Sequence, residues 1–436
     1  MTAEPATGED FTVVIAGGGI AGLEAILALR EAGPPSLQID LLSPSPEFVI
    51  APLSVVEPFG GDAAPRIDLV QFCKEHHVDL IQSGLSEVWP GQQRVLTEDG
   101  DELPYDALLV CTGARRRPVL EAALNFRGSH DAAAIEDLVE SVASGEAQRI
   151  VFAVPDEVNW PLPLYELALQ VASRLSDTDA EISFITYEAA PLDVFGPAAS
   201  ARLETIITAA GIDLRCGETV TAATLADLKA DRVVTVPALD VPEVPGLSQS
   251  ARGFVATGPT MRVAGAERVW AVGDVTWTPI KQGGIAAQQA DIAAADIAAE
   301  AGADVEVPAY APVLRAALMT GEGPFYLRSG TDADGGQRAP LWWPPAKVAG
   351  RLLAPYLGSR VDPTLVDEEM LDLQADAGRD AEHAEALELA LRWADLDAAA
   401  GDYRRALHWL EVAEGLNLVV PEAYRDKRRE WQERIT

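Results

Sequence analysis

The chain has 436 residues, too many for one ordinary hydrophobic core, so two or three domains are expected. Its 33 Lys and Arg stand against 68 Asp and Glu, a formal net charge of -35 that repels phosphate backbones and anionic lipid headgroups and so sets aside nucleic acid and basic docking on membranes. Hydrophobic residues at 48% and charged ones at 23% are the proportions of a folded globular protein, not a disordered or fibrous one.

Strand and helix patterns alternate from Thr12 to about Arg215, which predicts parallel sheets with crossover helices. In FTVVIAGGGIAGLEAILAL the first strand runs from Thr12 to Ala16 and its helix from about Ala21 to Ala32. Gly17, Gly19 and Gly22 lie between and within them, the spacing in which one glycine makes the turn, the next lets backbone reach a pyrophosphate and the third brings helix against strand. A ligand-free glycine turn is the plainer alternative. Gly33-Pro34-Pro35 ends the helix, and a second strand follows from Leu37 to Ser43. YDALLVCTGARRRP places a strand at Ala107 to Cys111 and a turn at Gly113, where the chain leaves its first domain.

A second unit opens at Ile150 in IVFAVPDEVNWPLPLYELAL, a strand turning into a helix without a glycine, and EISFIT supplies its next strand. The prolines of VPALDVPEVPGL mark a return crossing between domains. Next comes RVWAVGDVTWTPIKQGGIAAQQADIAAADIAAEAG, a strand, a loop and a long alanine-rich helix. An aspartate placed as Asp274 is, after Gly273 and before that helix, can bind a ribityl hydroxyl of a flavin, while the helix N-terminus favours the anionic reduced ring. A Gly-Asp pair alone is a common turn. The stretch from about Leu371 is wholly helical, with apolar faces at Ala390, Leu391, Ala394, Ala398 and at Ala406, Leu407, Leu410, Ala413, and Gly401 between them. This is the pattern of a tetratricopeptide-type hairpin. One hairpin leaves a face to be covered by the main body or a partner.

Taken together, GGGIAGLEA, LLVCTGA and AVGD resemble the FAD-dependent pyridine nucleotide-disulfide oxidoreductase superfamily, in its branch of type II NADH dehydrogenases and sulfide:quinone reductases, over about Phe11 to Leu357. SPSPEFVIAPL, with Pro52, is similar to that branch's aromatic-x-Pro segment. The resemblance implies an α/β fold of two Rossmann-like domains, FAD-binding and NAD(P)-binding-like, with a small all-helical C-terminal extension. It divides the chain into residues 1–118 and 241–330 for FAD, 119–240 for a degenerate nicotinamide domain, 331–370 packing on the FAD domain and 371–436 as the hairpin. It further implies that Gly17, Gly19, Gly22, Thr112, Gly113, Gly273 and Asp274 line FAD, and that Ser43 stands where many relatives carry a ribose-binding acid.

Relatives that bind NADH carry a second glycine triplet. Aligned on Tyr165-Glu166-Leu167-Ala168, this chain has Asn159, Pro161 and Leu164 there, side chains expected to intrude where phosphate should lie, so NAD(P)H binding is in doubt. Glu166 matches a family glutamate near nicotinamide and flavin, or is a helix-start acid complementing the dipole. Trp160 walls a pocket or caps the second core. Lys281 is similar to a lysine near flavin or quinone in sulfide:quinone reductases, or is a solvated loop charge. LWWPPAKVAGRLLAPYL resembles the branch's C-terminal region, with Trp342 and Trp343 suited to an interface.

Cys73, Cys111 and Cys216 form no CxxC pair and fit none of the family's reactive positions, so each reads as a small buried residue. His76 and His77 point to different helix faces, and His130, His383 and His408 have no ligand-spaced partner, so no metal is expected. No apolar run reaches the ~18 residues of a membrane-spanning helix and MTAEPATGEDF has no export core, which suggests a cytoplasmic protein with at most peripheral membrane contact. The expected function is an FAD-dependent oxidoreductase passing electrons from a small donor to a quinone or other small acceptor without a redox disulfide, Lys281 and Glu166 being the candidate catalytic residues. The alternative is a flavin-containing interaction or redox-sensing protein that docks a partner, or a second copy of itself, through residues 371–436.

Overall fold

The computed structural model describes residues 11–250, 252–329, 336, 337, 346–348, 350–361, 391, 394, 395, 398, 399, 403, 406, 407, 409, 410 and 420–435. In chain order the elements that position the site are β1 (Thr12–Ala16), α1 (Ile20–Ala32), β2 (Gln38–Leu42), β3 (Asp79–Ile81), β4 (Ala107–Val110), β5 (Leu124–Asn125), β6 (Arg149–Val154), α2 (Leu162–Arg174), β7 (Glu181–Thr186), β8 (Ile212–Arg215), β9 (Arg232–Thr235), β10 (Val269–Ala271), α3 (Gly283–Glu300), β11 (Arg315–Met319) and β12 (Pro324–Arg328). They form two five-stranded sheets, in the orders β10-β4-β1-β2-β3 and β5-β9-β6-β7-β8, and every pairing within each is parallel.

Helices cover these sheets, so their central strands are apolar throughout instead of alternating: Val13 to Ala16 and Ala107 to Val110 are all buried. The alanines of α3 let it lie close along α1, with Ala287, Ala290, Ala293, Ala294 and Ala298 buried. Both passages between the domains are extended, and they pair with each other: Arg115–Arg117 runs antiparallel to Ala238–Asp240. Sequence turns at Gly113 and in VPALDVPEVPGL thus correspond to one two-stranded crossing.

The hairpin β11–β12, expected with the FAD-binding part, packs instead into the core of the second sheet, where Leu314, Ala316, Leu318, Phe325 and Leu327 join Leu164, Leu167 and Phe184. The chain divides into two units, Met1–Arg338 with Lys347–Tyr356, and Ala339–Ala346 with Leu357–Thr436. In the second, Ala394, Ala406, Trp409, Leu410 and Trp431 form a buried cluster. Trp431 comes from a further helix, Glu422–Ile435, whose Tyr424 hydroxyl donates to Asp395 at 2.7 Å. The helix Glu422–Ile435 thus packs on the described residues of the expected hairpin, and part of the apolar face assigned to an outside partner is covered within the unit. Gly401, Ala413, Trp342 and Trp343 lie outside the described residues. No described helix is long and apolar enough to cross a membrane.

Candidate functional site

The glycine turn divides three tasks among its glycines. Gly17 has φ +129°, and a Cβ there would run into the Cys111 carbonyl of β4, while its N–H donates to Leu42 O at 2.9 Å. A Cβ on Gly22 would strike the Gly17 carbonyl, so this position seats α1 on the turn. Gly19 has open space where its Cβ would be, in the lining of a cavity. Gly22→Ala is therefore expected to lower the melting temperature sharply, whereas Gly19→Ala costs about 1 kcal/mol or less, the scale of an N-cap change; thermal denaturation of the two separates a packing glycine from a ligand-facing one.

The cavity holds about 810 Å³ and is lined from the first domain by Gly19, Gly113, Gly273, Asp274 and Lys281. Phe126, Trp160 and Leu162 wall it from the second domain, and Lys347 completes it. The first turn of α1 carries no acidic residue and no side-chain cap, so its amides are free for an anion. Asp274 accepts no hydrogen bond among the described residues; burial raises its carboxyl, against the pull of Lys281 and Arg116.

Lys281 is 6% exposed, which overturns the solvated-loop reading. Its ammonium donates to the Thr276 carbonyl and sits 4.1 Å from the centre of the Phe254 ring. Burial pushes its pKa down to about 8, with Asp274 opposing the shift. Glu166 is fully buried beyond the first turn of α2, so it is not a dipole-complementing surface acid. One carboxylate oxygen pairs with Lys347 and accepts the Met319 N–H at 2.9 Å; the other has no partner among the described residues. Burial drives Glu166 up and Lys347 down, and each draws the other back toward its charged form.

Other expected positions fall differently. Ser43 is buried and its hydroxyl donates to Ser45 O at 3.0 Å, while Thr112 is exposed and outside the cavity lining. Cys73 and Cys111 are buried, but Cys216 is only half-buried, because it follows the edge strand β8. Of the residues at the second glycine positions, Asn159 lines the cavity and its amide reaches Pro279 O at 3.4 Å, Pro161 caps α2, and Leu164 points into the core; Leu162 and Pro163 are the side chains at the cavity. Trp160 does both things weighed for it, lining the cavity and packing on Phe195 at 6.2 Å. No local sequence pattern marks Lys347 or Arg116 as cavity residues. Lys347 is one of two charges in the apolar segment LWWPPAKVAGRLLAPYL, and Arg116 is one of three adjacent arginines, of which Arg115 lines the cavity as well. Among the described residues no group of His, Cys, Asp and Glu is placed to hold a metal ion.

No curated protein matches the chain. Among solved structures it is similar to the sulfide:quinone oxidoreductase of the hyperthermophilic bacterium Aquifex aeolicus, with TM-score 0.64 and 21% identity over 72% of this chain and 83% of that one. It is also similar to a ferredoxin reductase from Rhodopseudomonas palustris (TM-score 0.53, 19% identity, 73% and 82%) and to a NAD-dependent persulfide reductase from A. fulgidus (TM-score 0.52, 19% identity, 70% and 62%). The chain shares their fold, and its residues 11–151 match the family model described as pyridine nucleotide-disulphide oxidoreductase.

Proposed function

We propose that the protein is an FAD-dependent oxidoreductase that passes electrons through the flavin to a quinone or other small acceptor, without a redox disulfide. The observation that carries this reading is one cavity joining a bare, glycine-opened helix N-terminus to a buried lysine and an apolar wall. FAD fits the residues present: the α1 amides and the space at Gly19 suit its pyrophosphate, and the unengaged Asp274 carboxylate suits a ribityl hydroxyl. When bound, FAD supplies a two-electron carrier. The N-terminus of α3, beginning at Gly283 in the cavity lining, and the Lys281 ammonium both favour negative charge beside them. With a pKa of about 8, Lys281 can hold a proton at neutral pH and release it to a reduced acceptor oxygen. Phe126, Trp160 and Leu162 exclude water from that side.

Thiol chemistry has little support. Burial pushes Cys111 up to about 12 and Cys73 and Cys216 up to about 11, and the Cys111 thiol donates to Gly17 O at 3.2 Å. A quinone acceptor accords with the quinone in the name of the Aquifex aeolicus protein. The test is a single turnover: protein reduced with dithionite under argon is mixed with a soluble benzoquinone, and the return of visible absorbance is followed. Recovery that saturates with quinone concentration is expected; recovery with oxygen but not with quinone would sink the acceptor assignment.

A further inference from the structure

Glu188 lies two residues past β7, the second strand of the second Rossmann unit in chain order. In a dinucleotide-binding unit the acid at this place reaches outward to the adenosine ribose. Here it is 6% exposed and turned inward: its Oε2 accepts the Tyr165 hydroxyl at 2.6 Å and the Thr186 hydroxyl at 2.8 Å, and the Leu192 N–H bonds to the same carboxylate. Tyr165 belongs to α2, the helix whose first turn would receive the pyrophosphate. It is 1% exposed and stacks on Phe184 of β7, ring centres 4.1 Å apart, so packing fixes its hydroxyl on Glu188. A second tie lies beside it, since the Tyr187 hydroxyl donates to Val158 O at 3.2 Å and joins the loops that follow β7 and β6. Pro161, at the cap of α2, offers no N–H.

We propose that Tyr165 is a specificity-determining residue that closes the second nucleotide site by engaging Glu188, keeping nicotinamide dinucleotides out of a domain that retains their fold. The missing glycines remove the phosphate cradle; the Tyr165–Glu188 pair removes the ribose ligand as well. The proposal deepens the functional reading above, because it sends the electron donor to the same cavity as the acceptor. The closure itself stands on the second domain alone.

ADP-ribose is the probe, measured by calorimetry on the full chain saturated with FAD, so that the first site is blocked and no turnover is needed. Wild type is expected to show no binding up to millimolar probe. Tyr165→Ser, which opens the space, is expected to gain at least about tenfold in affinity, the scale of one hydrogen bond to a charged group, and Tyr165→Ser with Glu188→Gln is expected to lose that gain. Tyr165→Phe, which keeps the packing and removes the Tyr165 hydrogen bond to Glu188, serves if the serine variant fails to fold, as judged by circular dichroism. Micromolar binding by wild type overturns the proposal. So does a folded Tyr165 variant without any gain, or a gain that survives Glu188→Gln. Absence of flavin from the purified protein would strike the functional reading and is seen beforehand in the visible spectrum.

Discussion

Lys347→Met is expected to destabilise the protein by about 3–5 kcal/mol at neutral pH, because it leaves the buried Glu166 carboxylate without its charged partner. Both side chains of the pair are nearly inaccessible, at 6% and 0% exposure. The pH dependence has a definite sign. With Lys347 gone, burial acts on Glu166 against the Met319 N–H alone and raises its folded pKa further above the ordinary 4.5. A folded-state acid with a raised pKa binds more protons than the unfolded chain, so the variant keeps most of its stability below pH 4.5 and loses it progressively as pH rises above that value. Urea denaturation of wild type and variant at acid, neutral and alkaline pH should show a gap that widens upward. Glu166→Gln combined with Lys347→Met should recover most of the loss, since replacing both members of a buried pair is often nearly neutral. A double variant as unstable as the single one would mean that the lysine matters for packing and not for charge.

Lys281→Gln is expected to slow quinone reduction about 100-fold, the low end for losing a positioned proton donor. Wild-type activity should fall as pH rises through about 8, where Lys281 gives up its proton, and the variant should lack that limb. The profile discriminates, because a lysine serving only to hold the Thr276 loop would change the level of activity without removing the titration. Rates measured over pH 6 to about 10 cover the ordinary lysine range; a limb near 8 that persists in Lys281→Gln would assign it elsewhere.

Local chemistry made part of this legible. The strand–glycine–helix order around Gly17, Gly19 and Gly22 is written in consecutive residues, and the structure forms it as β1, turn and α1. Asp274 and Lys281 are seven residues apart on one loop, and both line the cavity. What escaped depends on contacts that no local pattern records. Glu166 was singled out, but its partner Lys347 is 181 residues away, so an acid on a helix could not be told from a buried ion pair. Glu188 is in sequence one more polar residue after a strand, and only the fold sets Tyr165, 23 residues earlier, on it. Ser43 and Thr112 rest on a family register; in the structure the Ser43 hydroxyl donates to Ser45 O and Thr112 is exposed. Glu422–Ile435 falls in the stretch that reads as helical, but its many charges hide the single Trp431 that joins the buried cluster.

The most direct test of the central claim is the flavin content of the purified protein, from its visible spectrum and from the nucleotide released on denaturation, for wild type and for Asp274→Ala. The account predicts close to one FAD per chain in wild type and a marked loss in Asp274→Ala with folding retained. A wild-type protein that carries no flavin and takes up none from added FAD would contradict it.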